Sequence, residues 1–242
     1  GDTADGNTGT IAFTSGKSTG GKGGSITLSV GEGNTGVGGD VTVNAGKTSA
    51  SNSAGGIVTI QSGASTQGRS GKIALNTLNG GVSGDIEMET GATTGGTSGV
   101  ITLSTGKSTG GKGGSITLSV GEGDTGVGGD FSVSAGNTIA DSGTTGGKVI
   151  LQSGESVLTS SGAFTLSTPN AGIAGVSGNL DLTSGTSSVG NSGTIAFTSG
   201  KSIGGKGGSI TLSVGEGNTG VGGDVTVNAG ITSASDNIGG AI

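Results

Sequence analysis

Apolar residues along this chain come in pairs separated by a single position, and the pairs recur with a period of about 15 residues. The series begins Ile11/Phe13, Ile26/Leu28, Val41/Val43, Val58/Ile60, Ile73/Leu75, Ile86/Met88, Ile101/Leu103 and Ile116/Leu118. It continues Phe131/Val133, Val149/Leu151, Phe164/Leu166, Leu180/Leu182, Ile195/Phe197, Ile210/Leu212 and Val225/Val227, which makes fifteen pairs. The shortest step runs from Ile73 to Ile86 and the longest from Phe131 to Val149. Ile242 falls where a sixteenth pair would begin. Alternation at period two predicts a strand with one buried face, and the residues involved are β-branched or otherwise suited to strands. Between pairs lie GG, GxGG and SG clusters, which allow tight bends. No helical period is present, and about 15 residues is too short for a strand–helix–strand unit.

A longer repeat is laid over this short one. The segment GKSTGGKGGSITLSVGEG at 16–33 recurs unchanged at 106–123, and at 200–217 with Ile203 in place of Thr19. Residues 10–50 match 194–234 with two differences. The long repeat therefore has a period of about 184 residues, in halves of about 90 and 94. Near-identical short units in succession favour one repeated environment over a meander that reverses every second strand. The expectation is an all-β fold without helices, a parallel β-solenoid (β-helix) with rungs of about 15 residues. It would run through 1–242 as one continuous domain of a longer repetitive chain.

That expectation assigns side chains to places. Ile11, Phe13, Ile26, Leu28, Val41, Val43, Ile101, Leu103, Ile116, Leu118, Ile195, Phe197, Ile210 and Leu212 would form a core ladder. Val37, Val82, Val127, Val176 and Val221, each four positions before a pair, would point in from the opposite wall. Lys17, Glu32 and Lys47 hold equivalent positions in three successive rungs and would stack about 4.8 Å from one another with alternating sign. Lys107 with Glu122, and Lys201 with Glu216, repeat the device, while Lys72 with Asp85 and Asp130 with Lys148 form a second column. Exposed pairs of this kind are individually weak and would serve to fix register.

Composition explains why an ordinary globule is not expected. Glycine fills 61 of 242 positions, Ser plus Thr fill 70, and Phe, at four positions, is the sole aromatic type. Such a chain has too little large apolar surface to offset its conformational entropy in a conventional core. Net charge is −6, with no basic block interleaved with aromatics, so nucleic acid is not an expected partner. No apolar run approaches the roughly 20 residues of a membrane helix. Cysteine is absent, which removes disulfides and thiolate metal sites.

Candidate chemistry is sparse. Glu87 and Glu89 alternate on one predicted strand and would share its outer face, a spacing that suits a cation or an acid–base pair. With one arginine, Arg69, and no histidine, the residues favour a solvated, charge-bearing rung over a catalytic one. Gly36–Val41, with its copies at Gly126–Phe131 and Gly220–Val225, resembles the glycine-rich nonapeptide of calcium-binding β-rolls. The period here is about 15 instead of nine and no second Asp completes a site, so neither calcium nor any other cofactor is expected. Outward Thr27/Ser29, Thr117/Ser119 and Thr211/Ser213 resemble the threonine ladders of ice-binding proteins, but Ala12, Ala74 and Asp181 interrupt the array. No Asn-x-Ser/Thr sequon exists, which leaves O-linked sugar on Ser and Thr as the expected glycan class.

Taken whole, the pattern resembles the Gly-, Ser- and Thr-rich β-solenoid repeats of secreted adhesins and surface filaments. The resemblance implies a non-catalytic structural protein, extracellular or at the cell surface, that partners copies of itself end to end or laterally. Fifteen stacked rungs would span roughly 70 Å. Uncapped ends would invite continuation or stacking. An ice-binding or carbohydrate-binding solenoid using the Thr/Ser face is the first alternative; an enzyme acting on polysaccharide through Glu87 and Glu89, and a disordered low-complexity chain, are the others.

Overall fold

The computed structural model describes residues 6–140, 144–235 and 237–242, and among them there is no helix and no strand. The chain divides into two units, Gly1–Leu118 and Ser119–Ile242. The boundary falls inside the second copy of SITLSVGEG, not at a junction between sequence repeats.

What organises each unit is a series of closed loops. The residue two places after an apolar pair meets the glycine two places before the next pair. In the first unit the closing glycines are Gly24, Gly39, Gly56, Gly71, Gly84, Gly99 and Gly114. In the second they are Gly129, Gly147, Gly162, Gly178, Gly193, Gly208, Gly223 and Gly240. Their partners are Ser, Thr, Ala or Val throughout. A methyl group on Gly39 would lie 2.7 Å from Val30 Cγ1, and the copies at Gly129 and Gly223 would lie 2.8 and 2.9 Å from Val120 and Val214. On Gly56 it would lie 2.9 Å from the Gly46 backbone nitrogen and 3.2 Å from Ala45 Cβ. Valine is stiff about its first torsion and backbone cannot step aside, so glycine at these positions is a steric requirement.

Backbone hydrogen bonds seal six of the loops. Gly24, Gly56, Gly71, Gly147, Gly162 and Gly240 donate to the carbonyls of Gly16, Gly46, Gly63, Gly136, Gly154 and Gly230, at 2.8 to 3.3 Å. Ser15 Oγ adds a bond to the Gly24 carbonyl at 2.8 Å, and Thr105 Oγ1 one to the Gly114 carbonyl at 3.2 Å. Within the loops, Gly36, Gly126 and Gly220 adopt φ of +86°, +86° and +81°, where any other residue would be strained.

This geometry corrects the expected β-solenoid. A stack of parallel rungs joins each position to its equivalent in the next rung, which would set Gly24 near Gly9. Instead Gly24 sits against Ser15 and Gly16, and the other sealing bonds are of similarly short range. None of these bonds links equivalent positions of successive rungs, and among the described residues no hydrogen-bonded ladder continues beyond a closure. Each loop closes on its own ends instead of on its neighbour, so the backbone is irregular coil punctuated by contacts.

The core assignments change with it. Among the described residues no side chain is buried. Of the expected core ladder, Ile11 and Phe13 are 84% and 82% exposed, and every other member of the ladder is also exposed. Val37, Val82, Val127, Val176 and Val221 do not point inward, being 93–97% exposed. The half-buried residues are Thr48, Ser62, Ala135, Ser153, Ser156 and Ala229. Four of these six, Ser62, Ala135, Ser153 and Ala229, are closure partners. The strongest shielding thus falls where loops close, while the apolar pairs are covered only in part, Ile116 being 53% and Ile195 48% exposed.

Magnitudes agree. The accessible surface is 23951 Å² for 22.2 kDa. A compact monomer of that mass exposes roughly 9,400 Å² and an extended chain roughly 32,000 Å². The chain thus keeps about three quarters of its unfolded surface.

Two outcomes are expected. Circular dichroism of the dilute chain will lack a β-sheet signal, where a solenoid would give a strong one. Amide exchange will show protection at Gly56 that Gly56→Ala abolishes at that site. Gly38→Ala, where nothing lies within 4 Å of the added carbon, will leave the Gly56 amide protected.

Candidate functional site

The recurring feature a partner could read is the loop itself. In GKSTGGKGG the lysines Lys17 and Lys22 lie on a loop sealed by Gly24 and Gly16; Lys107 with Lys112 and Lys201 with Lys206 occupy its copies. The loop after each of these carries acid: Glu32, Glu122 with Asp124, and Glu216. A doubly basic loop followed by an acidic one is therefore present three times.

These charges stay apart. Among the described residues none of the Lys, Arg, Asp or Glu side chains comes within 4.0 Å of an opposite charge. Lys17, Glu32, Lys47, Lys107, Glu122, Lys201, Glu216, Lys72, Asp85, Asp130 and Lys148 are all exposed. The closures account for this. A register ladder needs equivalent positions of successive loops to lie one above another, and the loops here close on themselves.

Glu87 and Glu89 are likewise exposed, with no strand to hold their carboxylates on a common face. Among the described residues no group of three or more His, Cys, Asp or Glu side chains gathers as a metal site requires. No cavity is found in the described chain. At Gly36–Val41 the glycine-rich run serves as a bend: Gly36 takes the left-handed conformation and Gly39 seals the loop against Val30.

Ser and Thr do most of the local bonding. Ser65 Oγ accepts from the Gly68 amide at 2.8 Å, and Ser187 Oγ from the Gly190 amide at 3.0 Å. Thr48, Thr138 and Thr232 accept from the amides of Ala50, Ala140 and Ala234 at 3.2 to 3.3 Å. These hydroxyls fold the loops inward by satisfying backbone donors that no ladder satisfies.

Sequence reasoning missed three sets of residues. The closing glycines were legible as a rule: glycine stands two places before every one of the fifteen pairs and before Ile242. Val30, Val120 and Val214 extend the alternation Ile-x-Leu-x-Val by one step and meet those glycines. The loop hydroxyls of Thr48, Thr138 and Thr232 recur in a Thr-x-Ala pattern.

Neither a family model, a curated protein nor a solved structure matches the chain. Among the described residues no helix is long and apolar enough to cross a membrane.

Because no charge pair is found among the described residues, added salt will leave amide protection at Gly56 and Gly240 unchanged in a dilute sample. Protection that falls steeply with salt would show that ion pairs hold the loops closed.

Proposed function

We propose that this chain is a structural, non-catalytic segment of an extracellular or cell-surface fibre or appendage, and that it works by associating with copies of itself. The observation that carries this reading is the regular recurrence of exposed apolar pairs, within a larger unit that itself recurs along the chain. A single chain leaves those pairs in water at a cost of about 25 cal/mol for each Å² of apolar surface. Contiguous exposed apolar patches mark association sites, and a periodic series of them suits a periodic partner.

The repetition supports a mechanical role. Each loop is closed locally, so its shape depends little on how many loops precede or follow it. Units of this kind can be multiplied along a chain without redesigning a core. The mixture of doubly basic and acidic loops gives one copy the complement of another, which steers association and sets its salt dependence. Exposed Ser and Thr leave room for O-linked sugar on the same surface. An ice-binding or carbohydrate-binding face would need a flat, regular threonine array, and no observation favours one here.

Electron microscopy and analytical ultracentrifugation of the full chain provide the test. Filaments or large concentration-dependent assemblies, with an axial repeat, are the expected result. A chain that stays monomeric at high concentration overturns the proposal. Ile26→Ser, Leu28→Ser, Ile116→Ser and Leu118→Ser together should abolish assembly while leaving the Gly56 amide protected, because loop closure and association use different residues.

A further inference from the structure

We infer that Asn79–Gly80 is a self-modification site, at which the chain converts Asn79 to aspartyl and isoaspartyl forms. The inference is independent of the proposed function. Asn79 is the one asparagine followed by glycine; the twelve others precede Thr, Ala, Ser, Leu or Ile. Glycine at the following position exposes the attacking backbone nitrogen, because no side chain stands over it.

The surroundings leave that nitrogen free to react. Asn79 and Gly80 are both exposed, and residues 80–82 form a bend. The Gly80 amide makes no hydrogen bond among the described residues. Neither helix nor strand holds this part of the chain, so the backbone is at liberty to bring the Gly80 nitrogen onto the Asn79 side-chain carbonyl.

The chemistry needs only water. The Gly80 nitrogen gives its proton to solvent and attacks Asn79 Cγ. The Cγ–Nδ2 bond breaks and ammonia leaves, which closes a five-membered succinimide. Water then opens the ring at either carbonyl. Opening at the main-chain carbonyl leaves the chain running through Cβ and Cγ, an isoaspartyl link; opening at Cγ leaves aspartate. No electrons are transferred.

The position gives the product a consequence. Asn79 lies in the loop closed by Thr77 and Gly84, where a methyl group on Gly84 would lie 3.6 Å from Thr77 Cγ2; these two are the closest in sequence of all the closure partners. A methyl group on Gly80 would stand 3.1 Å from the Val82 carbonyl oxygen, so the bend is already tight. An isoaspartyl link adds one atom to this backbone. Either product adds a negative charge near Asp85, taking the net charge from −6 to −7 (−6 − 1). The site would therefore act as a slow, irreversible loosening of the shortest loop as the protein ages.

The test uses the full chain, held in mildly alkaline buffer and sampled over weeks. Released ammonia, isoaspartyl methyltransferase labelling and peptide mass spectrometry are read together. Label should appear first in the peptide containing Asn79, well ahead of Asn52–Ser53 and Asn191–Ser192, and Asn79→Ser should remove it. A synthetic peptide covering 76–82 should age at a similar rate, since neither a hydrogen bond at the Gly80 amide nor a helix or strand restrains the attack. Modification of Asn52 or Asn191 at an equal rate, or an Asn79 that ages far more slowly in the chain than in the peptide, overturns the inference.

Discussion

The contact between a closing glycine and the small side chain opposite it is the interaction on which the rest of the structure depends. It is a contact of exclusion. At Gly39, Gly129 and Gly223 the space a Cβ would need is already held by a valine methyl, and at Gly56 by backbone. Two chain segments can approach this closely only where one of them has no side chain. Closing a loop of about nine residues instead of about 15 saves only about 0.5 kcal/mol of entropy, so loop length does not select these partners. The matched pairing of glycine with Ser, Thr, Ala or Val does.

From that constraint follows the distribution of polar and apolar groups. Once a loop is sealed at its base, its interior backbone donors must be satisfied within the loop or by water. Ser65, Ser187 and the Thr-x-Ala hydroxyls satisfy several of them. The apolar pairs lie outside the loops, on the connecting stretches, and the closures give them nothing to pack against. Hence the unusual outcome that the best-shielded residues include Ala135 and Ala229 while Ile11 and Phe13 stand in water.

This separation also explains how far the sequence could be read. The spacing of the pairs, the hierarchy of repeats and the turn-forming glycines were all visible, because each is a pattern of residue types. The direction the chain takes after each loop was not. Ile11/Phe13 followed by Ile26/Leu28 fits a stack in which Gly24 lies over Gly9, and it fits equally a closure in which Gly24 meets Ser15. Periodicity is the same in both. The distinguishing sign was the strict placement of glycine two places before each pair, opposite a residue of small or branched type. The expected ion-pair column of Lys17, Glu32 and Lys47 inherited the stacked register, and it disappears with that register.

Local closure and missing burial belong together. A solenoid rung is unstable alone because its strands need neighbours for both hydrogen bonds and apolar cover. A closed loop makes a few of its own hydrogen bonds and shields its own small residues, so its contacts do not call on a neighbour. What it cannot supply is cover for Ile, Leu and Phe. The repeat thus splits the usual tasks of a fold: shape is set within a single loop, and hydrophobic burial is left undone among the described residues. A repetitive sequence tolerates this division well, because every copy presents the same unfilled requirement at the same spacing. The same division makes the loops chemically open. Among the described residues other than Gly6, backbone amides outside the six sealed closures, Gly80 among them, are held by local turns at most.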